Sequence, residues 1–148
     1  MKDLTIQSIV SELVNQSTGE SLDEAEKIIV EYLDRYPQDE DAWTRLALLQ
    51  TLPPFGDYQR AVSLLEEGIE HHGHVSSFIL LLSFFREWFL GGMNESQFEN
   101  LMKTNKNSSD PGTKAIILYL IAWHYESTDI DKHATFLYES INTCNELR

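Results

Sequence analysis

Apolar residues recur along this chain every three or four positions, which is the spacing of one face of an α-helix. Between Leu22 and Arg35, for example, Ala25, Ile29 and Leu33 fall on one side of a helical wheel. Prolines and glycines are confined to short clusters between such segments, and no segment alternates apolar and polar residues as a half-buried strand does. The pattern predicts eight helices, over Asp3–Asn15, Leu22–Arg35, Asp41–Thr51, Tyr58–His71, Val75–Leu90, Glu95–Thr104, Pro111–Glu126 and Ile130–Glu146.

Residues typical of helix N-termini stand near the starts of these segments. Ser21 is followed three residues later by Glu24, which predicts a capping box for the second helix. Further start signals lie at Asp57, at Asn94 with Gln97, at Asp110 before Pro111, and at Thr128 with Asp131. The linkers are short, so consecutive helices are expected to pack antiparallel.

Two parts of the chain share a repeated spacing of small, large apolar and aromatic residues. The first consists of Ala25, Ile29, Tyr32 and Pro37, followed at six, nine and ten residues after the proline by Trp43, Leu46 and Ala47. The second consists of Leu118, Ile121, Ala122 and Tyr125, followed by Ala134, Tyr138 and Ile141. This pattern resembles the tetratricopeptide repeat, most clearly from Leu22 to Gly73, whereas the segment around Leu82 and Ser83 matches it less well.

The resemblance implies an all-α fold: one domain over residues 1–148, in which about four antiparallel helix pairs stack into an α-α superhelix. In such a stack, small residues allow paired helices to approach closely, and large apolar residues fill the gaps between pairs. We therefore expect small side chains at the helix contacts, namely Ala25, Ala47, Ala122 and Ala134.

Proteins of this family bind ligands in a concave groove lined by the first helix of each pair. Counted from the matched positions, the resemblance implies that the groove is lined by Thr44, Leu48, Leu80, Phe84, Glu87, Trp88, Tyr119, Trp123 and Glu126. Trp88 and Trp123 are the expected anchors of a bound partner, because large aromatic side chains contribute most to binding energy. Two alternatives stay open: these residues form ordinary core, or a second copy fills the groove in a homodimer.

The chain is strongly acidic, with 24 acidic and 11 basic side chains and a formal net charge of −13. Residues 1–70 hold 15 acids and 5 bases, a net charge of −10, whereas residues 71–148 hold 9 acids and 6 bases, a net charge of −3. Such a surface repels nucleic acid and anionic membranes and attracts a basic protein partner. Acidic surfaces also keep proteins soluble, which is the alternative interpretation.

Cys144 is the only cysteine, so an intramolecular disulfide and a zinc site made of several cysteines are excluded. The N-terminal residues lack the apolar core of a signal peptide, and the most apolar stretch, residues 78–90, is too short to cross a bilayer. We therefore expect a cytoplasmic protein in a reducing compartment.

Catalytic motifs are absent from the sequence: it contains no HExxH, no paired CxxC, no GxSxG and no glycine-rich phosphate loop. His71, His72 and His74 lie close to Glu67 and Glu70, which suggests a metal site, but histidines at a helix end also complement the helix dipole. We therefore expect no enzyme activity, no metal and no cofactor. A metal-dependent hydrolase that uses these histidines is the alternative from the enzyme class.

Together these features predict a non-catalytic protein–protein interaction module, such as an adaptor, that binds a basic partner through the groove and the acidic N-terminal half. Two sharper forms are an acidic immunity protein that neutralises a bacterial toxin and a chaperone of a secretion system. A structural subunit of a larger assembly is the remaining interpretation.

Overall fold

The computed structural model describes residues 1–73 and 76–146, and these residues form eight α-helices and no β-strand. The helices are α1 (Leu4–Gln16), α2 (Gly19–Arg35), α3 (Glu40–Gln50), α4 (Tyr58–His72), α5 (Ser76–Phe89), α6 (Glu95–Asn107), α7 (Pro111–His124) and α8 (Ile130–Asn145). Each predicted helix is present, with ends within three residues of those expected. The predicted all-α fold class is confirmed.

The chain divides into two compact units, Met1–His74 and Val75–Arg148. In the first unit α2 packs against α1 and α3, and α3 packs against α4. In the second unit α6 packs against α5 and α7, α7 packs against α8, and α5 also contacts α7 directly. Neighbouring helices therefore pack in pairs, which is compatible with a helical-repeat fold, and the single domain over residues 1–148 stays a prediction.

Several helices begin at the capping residues that the sequence indicates. Asn94 accepts a hydrogen bond from the Gln97 backbone N–H, and the Gln97 side chain accepts one from the Asn94 N–H, so both members of that capping box are present. The predicted Ser21–Glu24 box is wrong. Thr18 caps α2 instead, because its hydroxyl reaches the Ser21 N–H and starts the helix one turn earlier.

The core is made of the apolar helix faces that the pattern identifies. The largest fully buried side chains are Leu22, Ile29, Leu49 and Leu65 in the first unit, and Phe78, Leu101, Ile117, Leu120 and Ile121 in the second. Three of the four alanines expected at helix contacts, Ala25, Ala47 and Ala122, are completely buried. They lie where close helix packing requires small residues.

The fourth alanine, Ala134, is exposed, and so are Tyr138 and Ile141 of the same helix, so the predicted register of α8 is wrong. The face of α8 that packs on α7 instead carries two polar side chains. The Ser140 hydroxyl donates to the Ala115 carbonyl at 2.7 Å, and His133 Nδ1 donates to the Ala122 carbonyl at 2.6 Å. Ser140 is therefore the small residue that brings α8 close to α7.

A matched pair of substitutions tests this register. Ala122→Leu should lower the free energy of unfolding by about 1–3 kcal/mol, because the added atoms have no space at a fully buried helix contact. Ala134→Leu should change it by no more than about 0.5 kcal/mol, because the residue faces solvent. Urea denaturation followed by circular dichroism measures both, and equal costs would show that α8 buries its Ala134 face.

Candidate functional site

The second unit exposes a group of large aromatic side chains on two helices that touch each other. We call Phe84, Trp88 and Phe89 of α5 together with Tyr119 and Trp123 of α7 the aromatic surface. Phe84, Trp88 and Tyr119 are 41, 39 and 43% exposed, respectively, and Trp123 is half-buried. Aromatic residues of this size usually contribute to a core, so their exposure as a group distinguishes this face from the rest of the unit.

Local sequence explains why α5 turns these residues outward. Phe78, Leu82 and Phe85 are buried and occupy one face of the helix, which leaves Phe84 and Trp88, four residues apart, on another. The helix ends at Phe89 because Gly91 and Gly92 follow with positive φ values of 84° and 106°. The Gly92 N–H then donates to the Arg86 carbonyl at 2.8 Å, as in a glycine C-cap.

The rings of the aromatic surface form a continuous series from α5 to α7. The centroids of Phe84 and Trp88 are 5.0 Å apart, those of Trp88 and Tyr119 are 6.1 Å apart, and those of Tyr119 and Trp123 are 5.9 Å apart. Trp88 and Tyr119 are nearly parallel, with 19° between their planes. A centroid distance of 6.1 Å between nearly parallel planes falls within the range of offset-stacked aromatic pairs, and both residues remain exposed.

The indole Nε1 of Trp123 is a buried hydrogen-bond donor that makes no hydrogen bond within the part of the chain that the structure describes. The nearest aromatic neighbours of its ring are Tyr119 and His133, and the His133 ring is at 5.3 Å in an edge-on arrangement. Trp43 in the first unit differs, because its Nε1 donates to the Pro37 carbonyl at 2.9 Å. An unsatisfied buried donor destabilises the free protein and is rare in folded proteins.

Two glutamates accompany the aromatic residues. The Glu87 side chain is 14% exposed, and its Oε2 lies 3.5 Å from Nδ1 of His124. The His124 ring is held against Phe98 of α6, with 4.3 Å between ring centroids and 19° between planes. Glu126, just beyond the end of α7, is exposed. The charged side chains predicted for this surface are thus both acidic.

The structure places the predicted site residues in two different units. Phe84, Glu87, Trp88, Tyr119 and Trp123 lie on the contacting helices α5 and α7, together with the half-buried Leu80 on α5. Thr44 and Leu48 belong to α3 of the first unit.

Leu48 lines an apolar hollow of about 430 Å³ in the first unit, next to Val10 and Val14 of α1. Thr44 is half-buried, and Leu48 is exposed. Leu48 therefore belongs to a second apolar surface, and the prediction of one groove for the whole set stays a prediction.

Two exposed residues of the second unit were missed by the sequence reasoning. Phe89 and Ile116 are 48 and 52% exposed, and Phe89 contacts Phe84 with 6.0 Å between ring centroids. Phe89 is the last residue of α5 and lies next to Trp88, outside the buried face of the helix. The aromatic pair Trp88 and Phe89, separated from Gly91 and Gly92 by one residue, was the signal that could have indicated it.

The first unit presents an acidic helix face. Five exposed acids on α2, which we call the acidic face, have no ion pair with any lysine or arginine among the described residues: Glu20, Asp23, Glu24, Glu31 and Asp34. Glu26 differs, because it pairs with Arg60. Lys27 and Arg35 of the same helix are also exposed, so five acids stand beside two bases and this part of α2 keeps a net negative charge.

Histidines of the suggested metal cluster take part in other contacts. The His71 ring stacks on Trp43 with 5.4 Å between centroids, and His72 Nε2 lies 3.0 Å from the Pro37 carbonyl. His74 lies outside the described residues. Within residues 1–73 and 76–146, no group of three or more histidine, cysteine, aspartate or glutamate side chains is placed to hold a metal ion.

None of the helices in the described ranges has the length and apolar character that crossing a bilayer requires. Comparisons of the chain with models of known protein families, with curated proteins and with solved structures found no match.

Proposed function

We propose that this protein is a non-catalytic interaction module of the tetratricopeptide type that binds a basic protein partner. The observation that carries the proposal is the aromatic surface of α5 and α7, where Trp88 and Tyr119 lie side by side and exposed. Tryptophan and tyrosine are the residues most often found at the energetic centre of protein interfaces. The buried indole N–H of Trp123 supports the same role, because a partner that moves this ring supplies the missing acceptor.

Charge supports a basic partner. The chain carries a formal net charge of −13, and most of the excess lies in the first 70 residues. The unpaired acids of α2 attract a cationic protein from a distance, and their effect weakens as salt is added. The aromatic surface then provides the short-range contacts that hold the partner.

The spacing of small and large residues supports the tetratricopeptide type. Ala25 and Ala47 are completely buried, and α2 packs on α3 at the place where the repeat pattern matches best. In α8, Ala134 is exposed, although the repeat pattern places it at a helix contact. The resemblance is therefore stronger in the first unit than in α8.

A second candidate within the same class is an immunity protein that neutralises a basic toxin, and the acidic face of α2 favours it. Such a protein would bind mainly through Asp23, Glu31 and their neighbours, with very tight and salt-sensitive binding. A secretion chaperone would instead rely on the aromatic surface and bind more weakly. The two forms therefore differ in which surface dominates.

Capture from a native lysate tests the proposal. Immobilised wild-type chain should retain a basic protein at low salt, and the double variant Trp88→Ala/Tyr119→Ala should lose it, because the aromatic contacts are removed. Tyr138→Ala is the matched control, since Tyr138 is an exposed aromatic residue on α8 outside the aromatic surface. Circular dichroism of each variant checks that the helices are retained.

The result separates the forms of the proposal. Retention that disappears with added salt and with Asp23→Asn/Glu31→Gln, but survives Trp88→Ala/Tyr119→Ala, favours the immunity form. Equal capture by the wild type and by all variants would contradict binding at either surface.

A further inference from the structure

We infer that the aromatic surface recognises an arginine side chain of the partner, whose guanidinium group packs on the exposed faces of Trp88 and Tyr119. The inference rests on the proposed function, because it names the chemistry of the partner at the same surface. It goes further by distinguishing arginine from lysine and from neutral side chains.

The first argument is the geometry of the rings. Trp88 and Tyr119 are nearly parallel, their centroids are 6.1 Å apart, and both are exposed. The face of an aromatic ring carries partial negative charge and attracts a cation, most strongly for tryptophan. Because both residues are exposed, ring surface of each is available to a planar cation.

The second argument is charge. The charged residues predicted for this surface are Glu87 and Glu126, and Glu87 belongs to the same helix turn as Trp88. Within the described residues, the 3.5 Å approach to His124 is the one polar contact of the Glu87 carboxylate, although the side chain is only 14% exposed. A poorly solvated carboxylate with one long contact favours the arrival of a cation.

The third argument is the shape of the cation. A guanidinium group is planar, stacks on aromatic rings and is less strongly hydrated than an ammonium group. It therefore leaves water more easily to pack on a ring pair, while its remaining N–H groups reach a carboxylate. The same unit already contains one cation over a ring, because Lys132 Nζ lies 5.0 Å from the centroid of Tyr125.

A second copy of the chain fits this surface less well. Two chains with a formal charge of −13 each repel one another, and the predicted charged positions of the surface, Glu87 and Glu126, are acidic in both copies. An arginine-bearing partner brings the opposite charge. The charge of the protein therefore favours a basic partner as the occupant.

Peptide titration observed by NMR tests the inference on the full chain. Three amphipathic helical peptides of identical length and apolar residues carry arginine, lysine or citrulline at the same positions. Citrulline keeps the planar shape of arginine and removes its charge. The indole N–H signals of Trp43, Trp88 and Trp123 are assigned by substituting each tryptophan with phenylalanine.

The arginine peptide should shift the Trp88 signal and bind about two- to fivefold more tightly than the citrulline peptide, which is the range expected for an exposed cation–π contact. The lysine peptide should bind more weakly than the arginine peptide, because an ammonium group is more strongly hydrated than a guanidinium group. The citrulline peptide should bind more weakly than both. The Trp43 signal should not move, because that indole is buried in the first unit and hydrogen-bonded to Pro37. Glu87→Gln should reduce the preference for arginine, and Tyr138→Ala should leave it unchanged.

Equal affinity for the three peptides, or no shift of the Trp88 signal with any of them, would overturn the inference. A dimer in sedimentation experiments that Trp88→Ala dissociates would also overturn it, in favour of a second copy. These results leave the proposed function standing as long as Trp88→Ala/Tyr119→Ala still abolishes capture from lysate. The proposed function itself would be contradicted by a different result, namely capture that depends neither on these two residues nor on Asp23 and Glu31.

Discussion

Replacing Ile121 by alanine should lower the free energy of unfolding by about 2–5 kcal/mol, whereas the same change at Ile141 should cost less than about 1 kcal/mol. Ile121 is completely buried in α7, and Ile141 in α8 is 53% exposed. Removing buried methyl and methylene groups loses their transfer free energy and leaves a cavity, while an exposed side chain loses little. Both residues belong to the same repeat-like pattern in the sequence. Comparing their costs therefore shows whether stability follows the burial of each residue or its position in the pattern.

Urea denaturation at constant temperature measures both values. If the slope of the unfolding free energy against urea concentration is unchanged, a shift in the midpoint concentration reports a change in stability. The comparison also bears on α8, because a cost at Ile141 as large as that at Ile121 would mean that its exposed face is covered in solution. A dimer formed through α8 would produce that result and would make the cost depend on protein concentration.

The second large effect is expected at Asp39, the N-cap of α3, where one carboxylate joins three partners. The Tyr32 hydroxyl donates to it at 2.6 Å, the Ala42 N–H donates at 3.1 Å, and the α-ammonium group of Met1 lies at 3.2 Å. Asp39→Ala should cost about 2–4 kcal/mol, because it removes a helix cap and a charge-assisted hydrogen bond from a side chain only 13% exposed.

Asp39→Asn is the matched control for this change. Asparagine caps helices as well as aspartate does, so the Ala42 contact is kept. The charge is lost, and the amide nitrogen cannot accept the hydrogen bond from the Tyr32 hydroxyl, so we expect a cost of about 1–2 kcal/mol. Thermal or urea unfolding of the two variants at neutral pH gives both values. A cost for asparagine equal to that for alanine would assign the effect to the charge and the Tyr32 contact rather than to the cap.

Asp39 also makes stability depend on pH. Burial opposes ionisation of this carboxyl, but hydrogen bonds from Tyr32 and Ala42 and the nearby α-ammonium group outweigh it and hold the pKa of Asp39 below its ordinary value of 3.8. A lowered pKa means that the unfolded chain binds the proton more readily, so the stabilisation is complete above pH 3.8 and is lost as the pH falls through the native pKa. The stability difference between the wild type and Asp39→Asn should therefore shrink in acid.

The helices could be predicted from the sequence because their signals are local. Asp110 before Pro111, or Asn94 with Gln97, starts a helix whatever lies around it, and both helices begin where these residues indicate. The apolar periodicity likewise identified the buried faces of α2 and α3, where Ala25 and Ala47 lie at the contact.

The register of α8 could not be predicted, because the side of α8 next to α7 combines the half-buried Phe136, which packs on Tyr125, with two polar residues. His133 and Ser140 donate hydrogen bonds to carbonyl groups of α7, and only the three-dimensional structure shows that those carbonyls lie within reach. A count of apolar positions assigns the opposite face, which carries Ile130 and Tyr138, to the core.

The candidate site was predicted in part for a similar reason. Helical spacing places Phe84 and Trp88 on one face of α5, and the structure adds that Tyr119 of α7 meets them there. Phe84 and Phe85 are successive phenylalanines, and only one of them can face the core. The choice depends on the rotation of α5 about its axis relative to α6 and α7. That rotation is set by tertiary packing and is not encoded in the spacing alone.

The placement of the three tryptophans gives each unit its own optical reporter. Trp43 lies in the first unit, 6% exposed, whereas Trp88 and Trp123 lie in the second. In a chain with Trp88→Phe and Trp123→Phe, tryptophan fluorescence therefore comes from the first unit alone. In a chain with Trp43→Phe, it comes from the second unit alone. Equilibrium unfolding followed by fluorescence in the two chains can then establish whether the units melt together or one after the other.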